Sequence, residues 1–218
     1  MPTRNRANPL ALAVLVCLAE KPMHPYEVAT TLRQRQKHET VRLNYGSLYG
    51  VVESLERRGL IEALETRRSG RLPERTVYGL TDAGRIEVHD WLTDLISTPV
   101  KEYPAFQAAL SFLPALPPHD VVALLAERAS RLEVQLAETR GALELAQKHG
   151  LPRLFWVEAE YDVVLREAEL GYVRTLSRDI ESGALDGTAW WHEIHDRGDE
   201  PVSPPPLTGS GSPGERSQ

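Results

Sequence analysis

The chain has 218 residues, a formal net charge of −6 and a single cysteine. One cysteine excludes an intramolecular disulfide, and the acidic balance argues against indiscriminate nucleic-acid binding. The balance is uneven, however: residues 1–90 carry 14 Lys/Arg against 11 Asp/Glu, and residues 91–218 carry 11 against 20, so positive charge is kept at one end.

Leu10, Leu12, Val14, Leu15, Val16, Cys17 and Leu18 predict an apolar core helix from Asn8 to Glu20. Arg4 and Arg6 before it and Glu20-Lys21 after it leave it too short to span a bilayer. No small-residue cleavage site follows, as a signal peptide would need. Pro22-Met-His-Pro25 predicts a turn, and Tyr26 to Arg35 a second helix with Val28, Ala29 and Leu32 inward. Pro25 suits its first turn, where no backbone donor is needed. A third helix is predicted from Asn44 to Arg58. Asn44 is a fitting N-cap, Leu48, Val51, Val52 and Leu55 mark the buried face, and Gly59 supplies the left-handed stop. Tyr45, Ser47, Tyr49 and Ser54 lie largely off that buried stripe.

Residues 60–66 then suit a strand and Thr76 to Thr81 its return. The loop between them, Arg67-Arg-Ser-Gly-Arg-Leu-Pro-Glu-Arg75, holds four arginines against one glutamate. Three helices followed by a basic hairpin are the shape of a winged DNA-binding domain. The third helix is expected to enter the major groove, with Asn44, Tyr45, Ser47 and Tyr49 at its first turns. Thr40 and Arg42, just before it, are expected to add phosphate contacts. Arg67, Arg68, Arg71 and Arg75 of the wing are expected at the DNA backbone or in a minor groove. Two plainer alternatives stand beside these: the wing as an ordinary solvated hairpin tip, and Tyr49 packed partly against the wing.

The segments Leu12-Ala-Val-Leu-Val-Cys-Leu-Ala-Glu20, His24-Pro-Tyr-Glu-Val28, Gly46-Ser-Leu-Tyr49, Leu55-Glu-Arg-Arg-Gly-Leu-Ile61 and Tyr78-Gly-Leu-Thr-Asp-Ala-Gly84 together resemble the PadR family of bacterial transcriptional regulators. The resemblance covers residues 8 to about 95. Pro25 stands where family members usually have Gly, and Gly50 where they often have Pro. The resemblance implies a homodimeric repressor of a palindromic operator, acting in the cytoplasm at the nucleoid. It also implies release by a small aromatic or drug-like effector, held near the dimer interface between the winged domain and the C-terminal helices. Trp91, Phe106, Phe112, Trp156 and Tyr161 are the aromatics available to line such a pocket. The plainer reading of each is core.

Beyond the wing, Thr81 caps a helix predicted to run to about Ile96, with Ile86, Val88, Trp91, Leu92 and Leu95 as its apolar positions. Five prolines punctuate residues 97–118 around a short helix from Ala105 to Leu113. From Pro118 to Lys148, Val122, Leu125, Ala129, Leu132, Leu136, Thr139 and Leu143 alternate in steps of three and four, a heptad seam. Gly150-Leu-Pro152 breaks it. A second long helix is predicted from Arg153 to Ser182, with Leu154, Tyr161, Leu165, Ala168, Tyr172, Leu176 and Ile180 on one stripe, giving an antiparallel hairpin. Helices of about 30 residues are about 45 Å long, more than a small winged domain needs. Leu125, Leu132, Leu136, Leu143, Leu165, Tyr172 and Leu176 are therefore expected to build a homodimer interface. The alternative is a monomer whose hairpin folds back on its own winged domain. After Ser182 periodicity is lost, and residues 183–218 are expected to be largely disordered. Trp190 and Trp191 have no assigned role.

The fold class expected is mainly α with a small β-wing, in four parts. Residues 8–96 form a winged helix-turn-helix domain, 97–118 a Pro-punctuated connector, 119–182 a helical-hairpin dimerisation domain, and 183–218 the tail. His192 and His195, beside Glu193 and Asp196, have a spacing open to a metal, but a solvated tail is the plainer reading, and no metal site or cofactor is expected. There is no Gly-rich phosphate loop and no nucleophile elbow, so no enzymatic activity is expected. The expected partners are double-stranded DNA, a second copy of the chain and a small-molecule effector, with no membrane. The rival reading is a winged-helix protein-interaction adaptor, and the basic wing discriminates the two.

Overall fold

The computed structural model describes residues 8–37, 40–67 and 75–197, with the backbone alone at positions 45, 66, 67 and 75. It is mainly helical with one two-stranded antiparallel sheet. The chain divides between Glu102 and Tyr103 into two compact units.

The first unit begins with α1 (Pro9–Glu20), capped by Asn8, whose side-chain oxygen accepts from the Leu10 amide at 3.1 Å. Helix α2 (Pro25–Gln34) opens with a reciprocal cap. His24 Nδ1 accepts from the Tyr26 amide, and Glu27 Oε2 accepts from the His24 amide at 2.9 Å. Helix α3 (Tyr45–Arg57) starts on Asn44, whose Oδ1 accepts from the Gly46 amide at 2.9 Å. It ends before Gly59, at φ +68°. Strands β1 (Ile61–Arg67) and β2 (Arg75–Leu80) pair with Arg67 opposite Arg75. A bulge falls between Ala63 and Glu65. Gly79 makes room for it, since a Cβ there would stand 2.7 Å from Leu64 Cδ1. Met23 adds a backbone bridge to Tyr78, two bonds of 3.0 Å, inside the stretch expected to be only a turn.

Helix α4 (Asp82–Ser97) starts on Thr81. The Thr81 hydroxyl accepts from the Gly84 amide and donates to the Gly59 carbonyl at 2.7 Å. One residue thus joins the end of α3 to the start of α4. Leu10, Val14, Leu15, Val28, Leu32, Leu48, Val52, Leu55, Ile61 and Trp91 share one core.

The second unit contains α5 (Ala105–Leu110), α6 (Pro118–Lys148), α7 (Val157–Glu181) and α8 (Thr188–Asp196). Helices α6 and α7 form an antiparallel hairpin whose core holds Val121, Leu125, Leu132, Leu136, Leu170, Val173, Leu176 and Ile180. Three ion pairs cross it: Arg128 with Glu169, Arg174 with Glu133 and Arg140 with Glu167.

The residues expected at a dimer interface divide between buried and exposed positions. Leu125, Leu132, Leu136 and Leu176 are buried within the hairpin of one chain, because the α6 seam meets α7. Leu143 is half-buried, while Leu165 and Tyr172 are exposed. The α7 stripe read from sequence therefore merged two faces. Leu154 lies in a short 3₁₀ turn (Arg153–Phe155) before α7 and is exposed. Regular structure also continues past Ser182. In α8, Trp191 is buried, and its indole N–H donates to the Leu116 carbonyl at 2.8 Å. A ring nitrogen of His195 lies 2.9 Å from the Pro114 carbonyl oxygen.

Candidate nucleic-acid interface

One face of α3 is fixed by the core. Leu48, Val51, Val52 and Leu55 are buried in it, so the residues between them turn outward. Ser47 is exposed, and Tyr49 retains 45% of its accessible surface. Nearly half of Tyr49 is thus open to solvent. Tyr78 of β2 is half-buried against the core. Burial, followed by the negative charges of Glu56 and Glu53, holds its phenol above the ordinary value.

The segment leading into α3 splits in role. Arg42 is exposed. The Thr40 hydroxyl donates to the Lys37 carbonyl at 3.3 Å. Asn44 spends its carbonyl oxygen on the helix cap. These three lie in the non-helical segment that leads directly into α3. Tyr45 is the first helical residue.

Of the wing arginines, Arg67 and Arg75 close the paired part of the hairpin as register partners. Arg68 and Arg71 lie outside the described residues.

The aromatics proposed for an effector pocket do not gather in one place. Trp91 is a core residue of the first unit, 1% exposed. Its indole N–H has no hydrogen-bond partner among the described residues. Phe106 and Phe112 line a cavity of about 300 Å³ in the second unit, together with Leu113, Leu116, Arg128 and Arg131. The Arg128 guanidinium lies 3.7 Å from the centre of the Phe106 ring. Trp156 instead donates its indole N–H to the Leu151 carbonyl at 3.0 Å, closing the α6–α7 turn. Tyr161 is 63% exposed on α7. A second cavity, about 540 Å³, runs along α6 and α7 past Leu125, Ala129, Val173 and Arg174. Among the described residues, no group of three His, Cys, Asp or Glu is placed to hold a metal, and no helix is long and apolar enough to cross a membrane.

Sequence reasoning missed one feature of this surface, the exposed line of α3 through Gly46, Gly50, Glu53 and Arg57. The signal was there in the spacing of the buried residues, read for its opposite side.

Known proteins share this arrangement. Residues 14–90 match the transcriptional regulator PadR-like family. An uncharacterized 37.1 kDa protein in transposon TN4556 of Streptomyces fradiae is 36% identical over 80 residues, 37% of this chain. Those residues make up 21% of that relative, so the chain spans about a fifth of its length. Among solved structures, Bacillus subtilis PadR in complex with operator DNA is 18% identical over 78% of this chain and 98% of its own, with TM-score 0.63. Bacillus subtilis PadR in complex with p-coumaric acid is 16% identical over 79% and 98%, with TM-score 0.60. The virulence activator AphA of Vibrio cholerae is 14% identical over 79% and 98%, with TM-score 0.59. At these identities the structural likeness is one of fold. The stretch that matches the PadR-like family, residues 14–90, is the part of the chain that folds as the winged domain.

Proposed function

We propose that the chain binds a palindromic operator as a homodimer in the cytoplasm and represses transcription there. Release by a small aromatic effector completes the reading. The carrying observation is the outward N-terminal face of α3 beside a wing whose last paired residues are Arg67 and Arg75. Tyr45, Ser47 and Tyr49 would meet base edges and phosphates in the major groove. Thr40, Arg42 and the amide nitrogen of Asn44 would position the helix from the backbone, and Arg67, Arg68, Arg71 and Arg75 would hold the flanking phosphates.

Support for a dimer comes from α7. Val157, Tyr161, Val164, Leu165 and Tyr172 recur at helical spacing and are all exposed in the single chain. A two-fold dimer would present two recognition helices to half-sites one helical turn apart, roughly 34 Å. For the effector, the cavity at Phe106 and Phe112 is largely apolar, with Arg128, Arg131 and Glu127 at its wall; Arg128 is paired with Glu169 and Arg131 with Glu127. The ligand bound by Bacillus subtilis PadR, p-coumaric acid, has an aromatic ring for such an apolar wall, and its carboxylate would have to compete with those glutamates for the arginines. Such a ligand releases DNA only if it binds one dimer geometry better than the other.

The test is binding of the full chain to its own upstream DNA across a salt series, followed by fluorescence anisotropy, with mass from light scattering. A dimer with steep salt dependence is expected. Arg67→Ala with Arg71→Ala should weaken binding about tenfold or more and flatten the slope of log affinity against log salt by about 2. Unchanged affinity in that variant would remove the wing from the interface. Lower target transcription after gene deletion would replace repression by activation.

A further inference from the structure

The exposed line of α3 carries a feature that the fold does not require. Leu48, Val51, Val52 and Leu55 are buried. At 100° per residue, the opposite side passes through Gly46, Gly50, Glu53 and Arg57, all exposed. A glycine inside a helix is less favourable than alanine by about 1 kcal/mol. Gly50 lies in mid-helix without a positive φ, and apart from its chain neighbours and the backbone of its own helix no described atom stands within 4 Å of where its Cβ would be. Neither packing nor backbone conformation calls for glycine there. A missing Cβ on an exposed helix permits another molecule to approach the backbone closely.

Glu53 is the next residue on that line, about 4.5 Å further along the axis. Among the described residues its carboxylate has no hydrogen bond or ion pair. Its charge, like that of Glu56, acts on the Tyr78 phenol. A carboxylate facing DNA is repelled by phosphates and by guanine, whose major-groove edge offers only the O6 and N7 acceptors. It is favoured opposite the amino group of cytosine.

We propose that Glu53 is a specificity-determining residue. Its carboxylate accepts a hydrogen bond from cytosine N4 in each half-site, at a depth that the bare backbone of Gly50 allows. This rests on the reading of α3 as the major-groove helix.

The experiment selects bound sequences from a randomised duplex pool with the purified full chain and with Glu53→Gln, Glu53→Ala and Gly50→Ala. The wild-type chain should enrich cytosine at one position per half-site. Both Glu53 variants should lose discrimination there by roughly fivefold or more. Their affinity for an unrelated duplex should hold or rise, because a negative charge has gone. Gly50→Ala should melt at the same or a higher temperature yet bind the selected site less tightly. A wild-type chain that selects a sequence, with Glu53 variants that select the same one, overturns the proposal and leaves the DNA reading standing. A wild-type chain that selects none overturns both. Gly50→Ala binding as tightly as wild type overturns the close-approach role of position 50.

Discussion

Gly84 and Gly50 are both glycines inside helices, and the structure gives them opposite reasons. A Cβ at Gly84 would stand 2.1 Å from the Leu60 carbonyl oxygen and 2.6 Å from Leu80 Cδ1. The start of α4 therefore sits directly on the turn after α3. Gly84→Ala should destabilise the first unit by about 1–3 kcal/mol, the usual range for overpacking, read as a lower urea midpoint. An unchanged midpoint would mean that α4 shifts freely there. Cys17 shows the same core chemically. Burial first, and the Glu20 charge second, push its thiol from 9.0 up to about 11, against the opposing Arg35. A folded value above the unfolded one stabilises the fold fully below pH 9, and that contribution is lost as pH rises towards 11. At pH 8, iodoacetamide should thus label Cys17 only as fast as the unit opens. Rapid labelling of the native protein would contradict a closed core around α1. The caps at Asn44 and Thr81 were legible in the sequence because a cap needs one side chain and the turn after it. The clash that fixes Gly84 was not, since Leu60 is 24 residues away.

At the scale of elements, α8 was the least legible. Nine residues without a clean apolar period, following a glycine-bounded break, read as tail. What holds them is tertiary: Trp191 enters the hairpin core and bonds the Leu116 carbonyl, 75 residues distant. Trp191→Ala should lower the stability of the second unit by about 3–5 kcal/mol, whereas Trp191→Phe should cost nearer 1 kcal/mol, from the lost hydrogen bond. Thermal melting followed by near-ultraviolet circular dichroism distinguishes them. Equal melting of Trp191→Ala and wild type would make α8 a passive appendage. The wing was legible in its strands and arginines, but not in its bulge. Leu64 and Gly79 read as ordinary strand positions until register pairs Ala63 with Tyr78 and Glu65 with Val77.

For the whole molecule, α7 carries one stripe that closes the hairpin and a second that the proposed dimer would cover. Leu170, Val173, Leu176 and Ile180 close the hairpin, and Val157, Tyr161, Val164, Leu165 and Tyr172 stay open to solvent. Tyr161→Glu with Leu165→Glu should leave helical circular dichroism intact while light scattering reports half the mass, and operator affinity should fall as the second half-site is lost. A dimer of unchanged mass would move the interface off this face.

The sequence by itself determined the helix order, the caps, the hairpin wing and the α6–α7 turn. These depend on local signals: periodicity, capping residues, glycine stops and short motifs. Tertiary structure alone decided which apolar stripe faces inward. A heptad seam says that a helix packs along another, but not whether that helix lies in the same chain, and for Leu125, Leu132, Leu136 and Leu176 it does. It also decided that Trp91 and Trp156 serve core and turn, while Phe106 and Phe112 share a cavity. An aromatic side chain has the same affinity for a core as for a ligand, and only its neighbours in space determine which it meets.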